Sequence, residues 1–172
     1  MARVFVGVGS NLDPERNVER AIERLLRDMR IVDISTFYRT EPVGHREAPH
    51  FVNGMIEAET DLRPADLKRT VLQTIEAELG RQRTADRNAD RTIDLDLVLY
   101  GDLVMSDADL VVPDPDLPRR AFLAFPLFEL APDLDIPGAG ISVRSLTQTL
   151  DTSQMQPLED LTAKLRRKLE HE

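Results

Sequence analysis

The sequence contains no cysteine, which excludes a disulfide framework and any thiolate metal site. No stretch approaches the ~20 consecutive apolar residues that a transmembrane helix requires. The N-terminal run Ala2-Arg3-Val4-Phe5-Val6-Gly7-Val8 is too short and too soon polar for a secretory signal, so a cytoplasmic protein is expected. Positive charge is in deficit: 22 basic residues face 31 acidic ones, a formal net charge of −9. Polyanions are repelled by that balance, which argues against nucleic-acid and membrane partners. Across 172 residues, 41% are hydrophobic and 31% charged, a globular composition long enough for one domain with a sizeable core.

Against this acidic background, Arg81, Arg83, Arg87 and Arg91 crowd into eleven residues and lead straight into Thr92-Ile93-Asp94-Leu95-Asp96-Leu97-Val98-Leu99-Tyr100. Successive strand side chains point to opposite faces, so Asp94 and Asp96 share one face, their Cα atoms ~6.5–7 Å apart. Ile93, Leu95, Leu97 and Leu99 are then expected on the other face, in the core. Two aspartates on one face can simply be the wet side of an amphipathic strand. Strands are depleted in Asp, however, and like charges side by side repel. A hard cation such as Mg²⁺ takes oxygen ligands, and the planar arginine fork suits phosphate oxygens. Together the two segments point to a place where metal and phosphate meet.

The rest of the chain reads as follows. A strand spans 3–8 and a turn 9–12, and a helix runs from Pro14 to about Met29 with Asp13 as N-cap. A strand at 31–38, a loop at 39–50 and a strand at 51–60 come next. Pro64 opens a second helix carrying Leu67, Val71, Ile75 and Leu79, which Gly80 ends. After the strand 92–100, Gly101-Asp102 suggests a hairpin into Leu103-Val104-Met105. Residues 113–118, with three prolines, form a rigid loop, and 119–131 an apolar helix interrupted at Pro126. A turn at 137–140, a short helix at about 143–150 and a tail helix with Leu158, Leu161, Leu165 and Leu169 on one face complete the chain. The tail's acids come first and its bases last, matching the helix dipole.

The order β-α-β-β-α-β predicts an α+β protein with a ferredoxin-like core, an antiparallel sheet flanked by helices in three α/β/α layers. Residues 1–150 read as the domain and 151–172 as a helical tail. The chain reads as a monomer, with a dimer through the tail helix as the alternative.

Gly7-Val8-Gly9-Ser10-Asn11-Leu12 lacks both the third glycine of a dinucleotide fingerprint and the Gly-Lys-Ser/Thr of a phosphate loop. Its glycines are read as permitting a tight exit from the first strand. Asn53 lies mid-strand, where asparagine is disfavoured, and suggests a bulge, an edge strand or an amide aimed at a ring with a donor/acceptor edge. Phe51 and Phe122 are either core residues or a pair that sandwiches a planar ligand. His45, His50 and His171 show no metal spacing and are read as surface residues.

These segments together resemble 6-hydroxymethyl-7,8-dihydropterin pyrophosphokinase of folate biosynthesis. The likeness rests on Gly9-Ser10-Asn11-Leu12, Ser35 to Gly44, Phe51-Val52-Asn53, Glu76 to Arg81, Arg91 to Gly101, and Phe125 to Pro132. It implies transfer of the terminal pyrophosphate of ATP to the hydroxymethyl oxygen of a dihydropterin, releasing AMP. ATP would be the co-substrate and two Mg²⁺ ions, bound by Asp94 and Asp96, the cofactors. The resemblance places Arg81 and Arg91 on the phosphates, with Arg83 and Arg87 assisting, and Gln73, Glu76 and Arg120 near the nucleotide. Asn53 would read the pterin's amide edge and Phe51 and Phe122 stack on its faces. Thr40, Val43 and Asp94 would complete the pterin site. Small molecules, ATP and a dihydropterin, are the partners it implies.

The chain departs from the family pattern at several positions. Asp114 stands where a histidine facing ATP is expected. Pro118 and Arg119 replace a polar pair, Asn88 replaces an aromatic residue found in some members, and Glu41 replaces an apolar one near the pterin. These changes leave two alternatives open, a diverged paralogue acting on another pterin-like alcohol and a non-catalytic pterin- or nucleotide-binding module.

Overall fold

The computed structural model describes residues 1–41, 49–82, 85 and 90–171. Its centre is β1 (Ala2–Ser10), in which every residue from Val4 to Ser10 is buried. A strand with a continuous run of buried residues must be covered on both faces, and β1 is the strand from which the sheet extends to either side. It pairs antiparallel with β4 (Phe51–Thr60) on one edge and with β5 (Asp94–Tyr100) on the other. Outward from β4 lie β2 (Arg30–Ile34) and β3 (Tyr38–Thr40), and β8 (Met155–Pro157) pairs with β3, all antiparallel.

Helices cover both faces, as the three-layer reading expects. On one face α1 (Pro14–Asp28), the second helix and α6 (Glu159–Leu169) bury Val18, Ile22, Leu25, Leu67, Leu72, Ile75, Leu161 and Leu165 against Val4, Val6 and Val8. On the other, α4 (Ala121–Leu130) and α5 (Val143–Thr147) bury Leu123, Leu127, Val143 and Leu146 against Phe5, Met55, Val98 and Leu99. Among the described residues no helix is long and apolar enough to cross a membrane.

Several local expectations are corrected by packing. Asp13 does not cap α1 with its side chain; it sits at φ 42, and its carbonyl accepts from Asn17 N at 3.0 Å. The strand expected at 31–38 breaks between β2 and β3. At the break the buried Ser35 accepts from Met55 N at 2.9 Å through its hydroxyl and donates its own N–H to Met55 O at 2.9 Å. The second helix is α2 (Pro64–Asp66), a π-helical stretch (Leu67–Leu72) and α3 (Gln73–Glu78), marked by Gln73 N donating to Lys68 O. Its apolar residues recur every four positions, which drifts around a 3.6-residue helix; the wider π turns keep them on the core. The helix does end at Gly80, where φ is +85.

The face assignment of the Asp94 strand holds only in part. Ile93, Leu95 and Leu97 enter the first core, but Leu99 enters the opposite one beside Phe5. The register with β1 shifts between Phe5 and Val6, leaving Val98 as an extra residue. A bulge of one residue inverts the alternation beyond it. No hairpin follows at Gly101-Asp102 either. Gly101 N donates to Arg3 O at 2.7 Å and the chain turns away, so that β6 (Met105–Ser106) pairs instead with β7 (Val111–Val112). Pro126 does not interrupt α4. It is buried inside a continuous helix, where packing outweighs the one lost i→i−4 bond.

Residues beyond 150 belong to the same packed body. β8 extends the sheet, and α6 sets Thr162 and Leu165 into it.

Candidate active site

Three adjacent strands place their functional side chains in one row. Gly9 of β1 lies opposite Asp94 of β5 on one side and Asn53 of β4 on the other. Two strand spacings separate the carboxylate from the amide, ~10 Å. The middle position is bare backbone for a steric reason. A Cβ on Gly9 would come within 2.5 Å of Asn53 Oδ1. Gly9 is therefore not a turn residue, as its sequence context suggests, but a gap that Asn53 fills.

Above this row opens a cavity of ≈ 460 Å³. Its charged end, at β5, holds Asp94, Asp96, Arg81, Arg91 and Asp114, its other end, at β3 and β4, holds Thr40, Glu41, Phe51 and Asn53, and Asp116, Arg120, Phe122 and Leu123 complete the lining. Strand, helix and loop residues that are distant in sequence thus meet in one cleft.

At the charged end Asp94 is fully engaged. Arg81 Nη1 donates to its Oδ1 at 2.7 Å and Arg91 Nη1 to its Oδ2 at 2.6 Å. The same Arg81 nitrogen also pairs with Glu76. Glu76 is buried on α3 and accepts Leu95 N at 3.3 Å. Asp96, two residues on, makes no hydrogen bond or ion pair among the described residues and lies open to the cleft. Its carboxyl is pushed well above the usual carboxylate range, first by the protein wall that thins the water around it, then by the charges of Asp94 and Asp114; Arg81 and Arg91 oppose the shift. Asp114 is pushed up as well, chiefly by burial, although its bond from Asp116 N at 2.8 Å works against this. Asp96 and Asp114 are held here at a cost that a bound cation would relieve. Among the described residues no group of three or more metal-ligating side chains converges, so a cation would complete its shell with water or ligand oxygens, as Mg²⁺ does.

Ser10 and Asn11, to which the sequence reading assigned no role, anchor the arginine segment where it rejoins the sheet. Asn11 is 3% exposed. It donates from Nδ2 to Asp90 Oδ1 at 2.8 Å and accepts Arg91 N on Oδ1 at 2.6 Å. Ser10 Oγ donates to Thr92 O at 2.6 Å. The sequence marks them only as part of the family-like segment Gly9-Ser10-Asn11-Leu12; their partners are some eighty residues away.

At the opposite end Asn53 Nδ2 donates to Thr40 Oγ1 at 2.7 Å, and Thr40 is itself buried. The Asn53 carbonyl lies over the bare backbone of Gly9, and Phe51 and Phe122 line the same cleft. Other expected positions fall elsewhere. Gln73 is half-buried on α3 and does not line the cavity, Glu76 lies behind Arg81, and Arg119 is exposed outside it. His50 is a surface residue, accepting from Arg39 Nε at 2.9 Å. Val43, Arg83, Arg87, Asn88 and His45 lie outside the described residues.

Fold and cleft define a small α+β protein whose cleft joins a cluster of aspartates and arginines to an end lined by Phe51 and Asn53. Comparison with known proteins gives that class a family. A family model described as 7,8-dihydro-6-hydroxymethylpterin-pyrophosphokinase matches residues 5–132. The chain is 38% identical over 162 residues to the 2-amino-4-hydroxy-6-hydroxymethyldihydropteridine pyrophosphokinase of Pseudomonas aeruginosa, covering 92% of this chain and 96% of that one. It is 36% identical over 154 residues to the protein of the same name from Haemophilus influenzae, covering 88% and 95%. In fold it is similar to the HPPK-DHPS of Plasmodium falciparum, with a TM-score of 0.69 at 11% identity, over 86% of this chain and 45% of that one. The chain thus spans less than half the length of that solved protein. The chain belongs to the 7,8-dihydro-6-hydroxymethylpterin-pyrophosphokinase family.

Proposed function

We propose that the protein transfers the pyrophosphoryl group of ATP to the hydroxymethyl oxygen of 6-hydroxymethyl-7,8-dihydropterin, releasing AMP, as a step of folate biosynthesis. The observation that carries this reading is the two-ended cleft, in which Asp94 and Asn53 stand on either side of Gly9. A pterin seated between Phe51 and Phe122 would present its amide edge to Asn53 and direct its hydroxymethyl arm toward the carboxylates. A ring stacked on aromatic faces and hydrogen-bonded along one edge keeps a single orientation, so the reacting oxygen is positioned before chemistry begins.

Asp94 and Asp96 fit Mg²⁺ as hard oxygen ligands, and the upward push on Asp96 supports a cation there. Two ions held by this pair would neutralise the polyphosphate and polarise its phosphorus. Arg81, Arg91 and Arg120 would take phosphate oxygens. For Arg81 and Arg91 this means exchanging the Asp94 carboxylate for substrate, and Glu76 keeps Arg81 in place through the exchange. Arg83 and Arg87 would assist, with Gln73 close to the nucleotide and Val43 to the pterin. The substrate hydroxyl oxygen forms a bond to the β-phosphorus and releases its proton to solvent, as the bond from that phosphorus to the α,β-bridging oxygen breaks and that oxygen leaves with AMP. Charge spreads over the phosphoryl oxygens that the arginines face. Phe51 and Phe122 close the acceptor end against water, the competing nucleophile.

The protein is read as a monomer acting on small molecules in the cytoplasm. The decisive measurement is AMP formation from MgATP with and without 6-hydroxymethyl-7,8-dihydropterin. Release that requires the pterin supports the reading; AMP formed equally without it overturns it.

A further inference from the structure

We propose that the C-terminal segment, β8 with α6, is a positioning element for the acceptor end of the cleft and sets the spacing between its two walls. The inference rests on the reading that this end holds a flat acceptor. One wall is Asn53 with Thr40, on the sheet; the other is Phe122, at the start of α4.

The segment grips the first wall from beneath. β8 pairs with β3 residue for residue, Tyr38 with Pro157, Arg39 with Gln156 and Thr40 with Met155. Thr40 is the hydroxyl that holds the Asn53 amide. Just before β3, both backbone groups of Phe37 are taken by the tail: Phe37 N donates to Thr162 Oγ1 at 2.9 Å, and Phe37 O accepts Leu158 N at 2.8 Å. The Phe37 ring is fully buried beneath Gly54, so close that a Cβ on Gly54 would lie 2.5 Å from it. Gly54 is next to Asn53 and lines the cleft with its backbone. Displacing Phe37 would therefore shift the floor under the amide.

The same helix reaches the second wall. Arg166 donates from Nε to Ile34 O at 2.9 Å and from Nη2 to Glu129 Oε1 at 2.8 Å. Glu129 is on α4, seven residues after Phe122, about two turns and ~10 Å along the helix. Its carboxylate also accepts Thr36 N at 3.0 Å and the Thr36 hydroxyl at 2.8 Å. Arg166 and Glu129 thus tie α4 to the strand segment that carries Thr40. No such tie runs from α6 to Asp94, Asp96 or the arginines among the described residues, so the effect should be confined to the acceptor.

Thr162→Val keeps the side-chain shape and removes the acceptor of Phe37 N; Arg166→Gln removes the ion pair on an exposed side chain. With near-ultraviolet circular dichroism unchanged, each is expected to raise KM for the dihydropterin about fivefold, the worth of one hydrogen bond, and to leave KM for MgATP within about twofold. Thr162→Ser should restore the wild-type value. An unchanged pterin KM in both variants, or pterin and MgATP constants rising together, overturns the proposal. If the wild-type protein forms no AMP, the activity reading fails by itself, and calorimetric pterin binding to the same variants decides the role of the tail in the same way.

Discussion

The two ends of the cleft are built on opposite principles. At the end with Asn53 and the two phenylalanines the side chains come from strand and helix, and the Asn53 amide is held by a neutral neighbour, Thr40, at 2.7 Å. At the phosphate end charges satisfy one another: Asp94 is held by Arg81 and Arg91, while Asp96 and Asp114 are crowded by like charge. Under the proposed function the first arrangement would receive its ligand as it stands, and the second would exchange partners on binding a polyanion and its cations. Pre-organisation suits a rigid ring, whereas a flexible, highly charged chain is better met by charges that can be redistributed.

The contrast can be broken most severely at the carboxylates. Asp96→Ala is expected to lower AMP formation by about a thousandfold or more, since several kcal/mol of charge stabilisation are at stake. Asp94→Ala should do the same and also leave Arg81 and Arg91 without their shared carboxylate. Near-wild-type turnover in either variant, read in a coupled AMP assay, would remove the carboxylate pair from the mechanism.

A change at the other end should separate the substrates. Asn53→Ala is expected to raise KM for the pterin by about tenfold to a hundredfold, because a site built to hydrogen-bond its ligand loses both the bond and the orientation. MgATP should bind as before, which calorimetry with the nucleotide alone can test.

Asn11 probes how the phosphate end is anchored without touching its chemistry. Asn11→Ala removes the acceptor of the half-buried Arg91 N–H and the donor to the exposed Asp90 carboxylate, at about 1 kcal/mol for a hydrogen bond lost at a part-buried site. Lower thermal stability is expected together with a loss in turnover of about tenfold, larger than any change in pterin KM. Equal losses for both substrates would show instead that the anchor serves the whole cleft.

The smallest effect is expected at Asp114. Asp114→Asn removes one like charge from the neighbourhood of Asp94 and Asp96, and KM for MgATP should fall by about threefold, as for a partly screened charge. A rise would mean that Asp114 assists cation or nucleotide binding.

Much of this contrast was already legible in the residue order. The strand periodicity places Asp94 and Asp96 on one face, and mid-strand Asn53 stands out as a polar residue that lines the same cleft. The helix from Pro64 to Gly80 was read from its spacing, though not its π turns, which answer a four-residue repeat that only the packed core enforces. Periodicity alone assigns Leu99 to the wrong face, because a single bulged residue at Val98 inverts everything beyond it. The hairpin expected after Tyr100 was wrong for a similar reason: its turn is held by Arg3, a residue nearly a hundred positions earlier.

What the sequence by itself determined is therefore local: the composition, the order of strands and helices, the acidic strand and the arginine-rich approach to it. These follow from side-chain periodicity and backbone preference, which act over a few residues. Only the tertiary structure decided that Gly9 makes room for Asn53, that Asn11 anchors Arg91, that two arginines share Asp94, and that the tail underlies the acceptor wall. Each of these joins groups far apart along the chain. Which distant groups meet is set by how the sheet and its two cores pack, and no local preference encodes it.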